Sequence, residues 1–207
     1  MIIAFVGIDG SGKTTLLEQF AKYLEKNGKK VSVLKALRPD SEFMRNYNVI
    51  REKYLLKHAE KKREFNTINS YIMSFDLFQQ SEALKELDAP DKVILLDRWA
   101  ICQQLYSKVW MAENDFSKLA YGMCLEPDIT FVIDADMEII EQRIESRGGA
   151  NEFENMLCLR RLKKMYINYS KEAHHAILIK NNNKLDDALN EIISIYKKNI
   201  SCERVIG

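Results

Sequence analysis

The chain has 207 residues, 46% of them apolar and 29% charged, enough to bury a sizeable core without disulfide or metal staples. Lys plus Arg number 31 and Asp plus Glu 30, a formal net charge of +1, so no nucleic-acid partner is expected. The longest apolar run, Met1 to Ile8, is broken by Gly7, ends at Asp9 and is too short to span a bilayer, so no membrane partner is expected either.

Short β-branched runs alternate with long helical patterns. The first strand is predicted at 2–6, followed by a glycine-rich loop and a helix at 13–27, with Gly28 placed to end it. A strand at 31–34 leads into helices at 41–60 and 65–87. The charge-dense stretch KHAEKKR, residues 57–63, reads as a solvated turn between those two helices. A third strand at 93–96 precedes helices at 101–111 and 115–124. A fourth at 129–133 precedes Asp136, placed to cap a helix at 137–146, and then a helix at 154–171. The last strand, 176–179, is followed by a helix at 185–198. All five strands are nearly continuous in hydrophobicity, as for strands covered on both faces. The alternation predicts a three-layer α/β/α domain with a parallel sheet and right-handed crossovers. No repeat, linker or low-complexity tract divides it, so residues 1–207 read as a single domain.

Cys102, Cys124, Cys158 and Cys202 form no CxxC pair and have no histidine at ligand spacing. They read as free thiols, which fits a cytoplasmic location. His174 and His175 are adjacent and point in different directions, so they are not read as metal ligands.

The strongest signal is GIDGSGKT, residues 7–14, which matches G-x-x-x-x-G-K-[ST] between a strand and a helix. Gly7, Gly10 and Gly12 allow backbone conformations that turn successive N–H groups inward. The helix beginning at Lys13 adds its positive dipole end. Lys13 brings a full charge to the β- and γ-phosphates, and Thr14 offers a hydroxyl to Mg²⁺. Such a loop points to a nucleoside triphosphate. Asp97 ends the third strand in ILLDRW and is the expected second oxygen ligand of Mg²⁺, with Arg98 beside it. Asn183-Lys184-Leu185-Asp186 matches a guanine-reading NKxD, but Asp97 to Ala100 is not the D-x-x-G of a switch GTPase. The match is read as turn and cap residues before the last helix. Arg143 and Arg147 lie four apart, and Gly148-Gly149 then break the helix. That is the pattern of a lid, about 147–153, closing over phosphates and excluding water.

GIDGSGKTT, LLDRW, PDITFVID and EQRIESRGG, in this order and spacing, resemble the thymidylate kinase family of P-loop kinases. The resemblance implies a five-stranded parallel sheet in the order 2-3-1-4-5, ATP and Mg²⁺ as cofactors, a deoxynucleoside monophosphate, most simply dTMP, as acceptor, and a homodimer. Residue by residue it implies that Asp9 contacts the acceptor sugar, that Arg38 and Arg98 hold the acceptor phosphate, and that Asp97-Arg98 is the catalytic pair. It implies that Arg143 lies against adenine and that Arg147 begins the lid, where it and Lys13 stabilise charge on the transferring group. Ser11 and Thr15 complete the ATP-binding loop with Gly7, Asp9, Gly10, Gly12, Lys13 and Thr14; Phe75 and Tyr106 join the acceptor set. The chain departs from the family pattern at Asp40-Ser41, at Leu77 in place of a base-contacting arginine, at Cys102, and at Glu152 in place of a lid arginine. Two alternatives remain open at this stage: a deoxynucleoside kinase with a hydroxyl acceptor, and a nucleotide-binding module without turnover.

Overall fold

The computed structural model describes residues 1–36, 42–58, 61–87, 89, 92–149, 155–182 and 185–206. Strands β1 (Ile2–Val6), β2 (Lys30–Lys35), β3 (Lys92–Asp97), β4 (Ile129–Asp134) and β5 (Ala176–Lys180) form one sheet in the order β2-β3-β1-β4-β5. Every pairing is parallel. The helices are α1 (Lys13–Lys26), α2 (Glu42–Lys57), α3 (Lys62–Leu87), α4 (Ala100–Val109), α5 (Asp115–Met123), α6 (Met137–Ser146), α7 (Met156–Glu172) and α8 (Leu185–Ile206).

Alternation along β1 divides the core. Ile2, Ala4 and Val6 face one side, where Leu77 and Leu84 of α3, Leu105 of α4 and Leu159, Leu162 and Tyr166 of α7 cover them. Ile3 and Phe5 face the other, against Leu16, Leu17, Phe20 and Leu24 of α1 and Ile192 and Tyr196 of α8. Phe5, Phe20 and Phe131 meet there in tilted and edge-on geometry, with centroids 5.4 to 6.4 Å apart. A satellite cluster of Met44, Tyr47, Phe65 and Met73 joins α2 to α3.

Four local expectations change. β2 pairs only with β3, so it is an edge strand, and Val33 is 50% exposed rather than covered. Helix α2 ends at Lys57 and helix α3 begins at Lys62 rather than 65, with Ala59 and Glu60 of the basic stretch outside the described residues. Helix α8 runs on to Ile206, because no glycine or proline interrupts 185–206 and Ile195 and Ile200 pack on the α1 side. Asp136 stands at the N-cap of α6, but its side chain makes no capping bond and instead accepts from the Asn182 amide at 2.8 Å. Gly28 does end α1: at φ +77° its N–H donates to Glu25, and the Lys29 N–H donates to Leu24.

Candidate active site

The sheet order sets β1 between β3 and β4, so the loop after β1 lies at the C-terminal edge with a strand end on either side. Gly7 has φ +139°, and a Cβ there would collide with the Ile133 carbonyl of β4, so only glycine fits this approach. The Ser11 N–H donates to the Ile8 carbonyl at 3.3 Å, and Lys13 Nζ donates to the same oxygen at 2.8 Å. Burial and the neighbouring Arg98 bring the Lys13 pKa down to about 8, against the opposing pull of Asp9 and Asp97.

Register pairs Phe5 with Asp97, which carries the carboxylate to the start of α1. There Thr14 Oγ1 donates to Asp97 Oδ2 at 3.1 Å. A hydroxyl and a carboxylate oxygen suit Mg²⁺, a hard ion that takes few protein ligands and fills its shell with water and phosphate. Thr14 and Asp97 would hold it. Ser11 Oγ is buried in the same loop with no partner among the described residues, which fits a site awaiting an anion's oxygens.

Arg98 takes φ +69°, a conformation uncommon outside glycine, while its N–H donates to the Phe5 carbonyl at 3.0 Å. Its guanidinium pairs with Asp9 and reaches the Gly7 carbonyl at 3.4 Å. Tyr106 donates to Asp9 Oδ2 at 2.9 Å, and Arg98 lies 5.9 Å from the Tyr106 ring centroid. Burial pushes the Asp9 pKa up, but Arg98, Lys13, Tyr106 and Arg147 together bring it below the usual carboxylate value. Burial also works against the Arg98 charge, and Asp9 more than offsets it, so Arg98 is raised. Tyr106 is raised by burial and by Asp9. Asp9, Arg98 and Tyr106 are thus one charged, hydrogen-bonded unit beside Lys13.

Arg143, in the last turn of α6, does not stand apart from the loop. Its Nη1 donates to the Gly10 and Ser11 carbonyls, each at 3.3 Å, and its Nη2 to the Asn181 carbonyl at 3.0 Å. Arg147 is not on the helix with it but is the exposed C-cap, close enough for its charge to lower Asp9. Gly148 and Gly149, at φ +105° and +93°, close the helix by donating to Glu145 and Ile144.

Thr15 lies on α1 and is exposed. Leu77 is fully buried in the core. Trp99 is also core, with its ring N–H on the Leu125 carbonyl at 2.8 Å. Phe75 is 49% exposed on the outer face of α3, and no described contact joins it to Asp9, Arg98 or Tyr106. Arg38, Glu152 and the lid beyond Gly149, together with Asn183 and Lys184, lie outside the described residues.

The family model for thymidylate kinase matches residues 5–192. The chain belongs to the thymidylate kinase family. It is an ATP-dependent phosphotransferase that carries dTMP to dTDP. It is similar to a probable thymidylate kinase of Archaeoglobus fulgidus, 23% identical over 99% of this chain and 98% of the relative. The thymidylate kinase of Thermosipho africanus is 27% identical over 97% and 99%. Among solved structures, the thymidylate kinase of Candida albicans shares the fold with a TM-score of 0.69 at 14% identity, covering 96% of this chain and 91% of that one. That of Ehrlichia chaffeensis gives 0.63 at 20% identity, covering 95% and 98%. Among the described residues no helix is long and apolar enough to cross a membrane.

Reading the sequence missed Asn181, which is 3% exposed and donates from its amide to the Ser11 carbonyl at 2.8 Å. It also missed Asp134, buried at the end of β4 and paired with both Lys163 and Lys180. No local pattern in the sequence marks either residue, and Asn181 follows β5, which lies two places from the loop-bearing β1 in the sheet.

Proposed function

We propose that the thymidylate kinase reaction is carried out here by two groups of side chains meeting at the end of β1, with Mg²⁺ held by Thr14 and Asp97. The observation that carries this division is the chain of contacts from Thr14 to Asp97 and from Arg98 through Asp9 to Tyr106, all beside Lys13. Lys13 and the inward loop amides bind the β- and γ-phosphates of ATP, and Mg²⁺ adds charge neutralisation there. Arg98 and Arg38 orient the phosphate of dTMP, while Asp9 and Tyr106 face its sugar. A phosphate oxygen of dTMP then attacks the γ-phosphorus. A new P–O bond forms, the bond from the γ-phosphorus to the β-γ bridging oxygen breaks, and that oxygen leaves as part of ADP. The dTMP phosphate is already largely ionised near pH 7, so no strong base is required, and positioning supplies much of the acceleration. Arg147 and the segment after it close over the site and keep water from taking the phosphoryl group.

The working unit is a homodimer. Ile68, Tyr71 and Phe75 on α3 and Phe116, Leu119 and Met123 on α5 are all exposed, at helical spacing on two helices whose Tyr71 and Phe116 rings stand 5.4 Å apart. An apolar face built from two packed helices supports pairing with a second copy. The described cysteines, Cys102, Cys124 and Cys158, are free thiols, which supports a cytoplasmic location.

A panel of nucleosides and monophosphates with ATP and Mg²⁺, read as ADP formed, tests the reaction. ADP formed with dTMP and not with thymidine is expected. ADP formed with thymidine would favour a hydroxyl acceptor, and none with any acceptor would favour a module without turnover.

A further inference from the structure

The phosphate loop works only if its amides face the triphosphate, and in a trans peptide the N–H points opposite to the carbonyl of the residue before it. Whatever grips the carbonyls on the back of the loop therefore aims the N–H groups on its front. Here the Ser11 carbonyl is held from outside the loop by Asn181 Nδ2 at 2.8 Å and by Arg143 at 3.3 Å. The Gly10 carbonyl is held by Arg143. Holding the Ser11 carbonyl directs the Gly12 N–H the other way, away from Asn181 and Arg143.

Asn181 is itself fixed on three sides. Its N–H donates to the Asp134 carbonyl at 2.7 Å and its carbonyl accepts from Arg143 at 3.0 Å. The residues flanking it are tied down as well, Lys180 to Asp134 and Asn182 to Asp136. It packs so closely on the loop that a Cβ on Gly12 would strike its amide nitrogen. A buried amide with this support is a rigid strut rather than a solvated loop residue.

We infer that Asn181 is a positioning residue for the phosphate donor: its side-chain amide, acting through the Ser11 carbonyl, orients the loop for the triphosphate. The inference rests on the phosphate loop being the ATP site of the proposed function. It assigns no contact between Asn181 and the reacting atoms. It makes loss of the amide a fault in binding and turning over ATP, and leaves the dTMP side untouched.

Asn181→Ala removes the donor, and Asn181→Asp keeps the shape but places an acceptor against a carbonyl. Titration of ADP and of dTMP separately, with KM for each substrate, kcat and Tm, separates positioning from general loosening. For both variants ADP affinity and kcat/KM for ATP are expected to fall about tenfold or more, the scale of one lost buried hydrogen bond. dTMP affinity should stay within about twofold, and Tm should hold close to that of the unaltered protein. Two results would overturn the inference: ADP binding unchanged in both variants, or ADP and dTMP weakened alike with a falling Tm. Turnover of the unaltered protein in the same assay tests the proposed function itself. The Asn181 claim is read only from the ratio of variant to unaltered ADP affinity.

Discussion

Lys13 is a buried cation that the fold tolerates for the sake of a ligand. Burial and Arg98 lower its pKa to about 8, so the free protein carries a neutral lysine in a growing share of molecules above that pH. The sign follows directly: below about pH 8 the cation is ready for phosphate, and above it ATP binding must take up a proton. We expect kcat/KM for ATP to be flat from about pH 7 to 7.5, where the phosphates are ionised, and to fall above 8, measured as a pH–rate profile at saturating dTMP. A profile that stays flat to pH 9.5 would contradict the lowered pKa. Between 8 and 10.5 the unfolded chain retains a proton that folded Lys13 has lost, so this group's contribution to stability rises with pH across that window. Lys13→Met should cost at least about a thousandfold in kcat/KM. It should also raise Tm by a few degrees, because a desolvated charge is replaced by an apolar chain of similar length. A lowered Tm would show that the Lys13 bond to the Ile8 carbonyl matters more to the fold than the charge costs it. The loop glycines, Lys13, Thr14, Asp97 and Arg98 were legible because each sits at a fixed short spacing in its motif. Asn181 was not, since its contact with Ser11 spans 170 residues and no local pattern encodes it.

At the scale of elements, α3 and α5 pack side by side and leave their outer apolar faces uncovered. The sequence suggested Phe75 as an acceptor contact, but helical spacing puts it on one stripe with Ile68 and Tyr71, and that stripe faces outward. The same spacing turns Leu77 inward to the core, so an arginine there would be buried among apolar residues. If this face pairs two copies, Leu119→Glu should shift the protein from dimer to monomer in sedimentation velocity, with little change in Tm of the separated chain. A variant that remains dimeric would move the interface elsewhere. Phe75→Ala measures the two roles of that ring against each other. A weakened dimer with KM for dTMP within about twofold places the ring in the pairing face, and a KM raised about tenfold with the dimer intact places it in the acceptor site. The exposure of Val33 on β2 was hidden for a related reason. The apolar residues of β2 resemble those of a central strand, while the order β2-β3-β1-β4-β5 leaves β2 with a neighbour on one side only.

For the whole molecule, alternation of strand and helix was enough to predict a parallel sheet, and the family resemblance supplied its order. What could not be read was how that order assembles the site. Thr14 meets Asp97 across 83 residues, Arg98 meets Asp9 across 89, and Arg143 meets Gly10 across 133, all because β1 lies between β3 and β4. The described charged residues of the site are therefore held at strand ends, helix termini and the short loop after β1 rather than on long loops. One assay bears most directly on the reaction: ADP and nucleoside diphosphate measured together after mixing the protein with ATP, Mg²⁺ and either dTMP or thymidine. Equal amounts of ADP and dTDP from dTMP, negligible ADP with thymidine, and loss of both products in Lys13→Met are predicted. ADP release that does not depend on dTMP, or transfer to the hydroxyl of thymidine instead, would contradict the assignment.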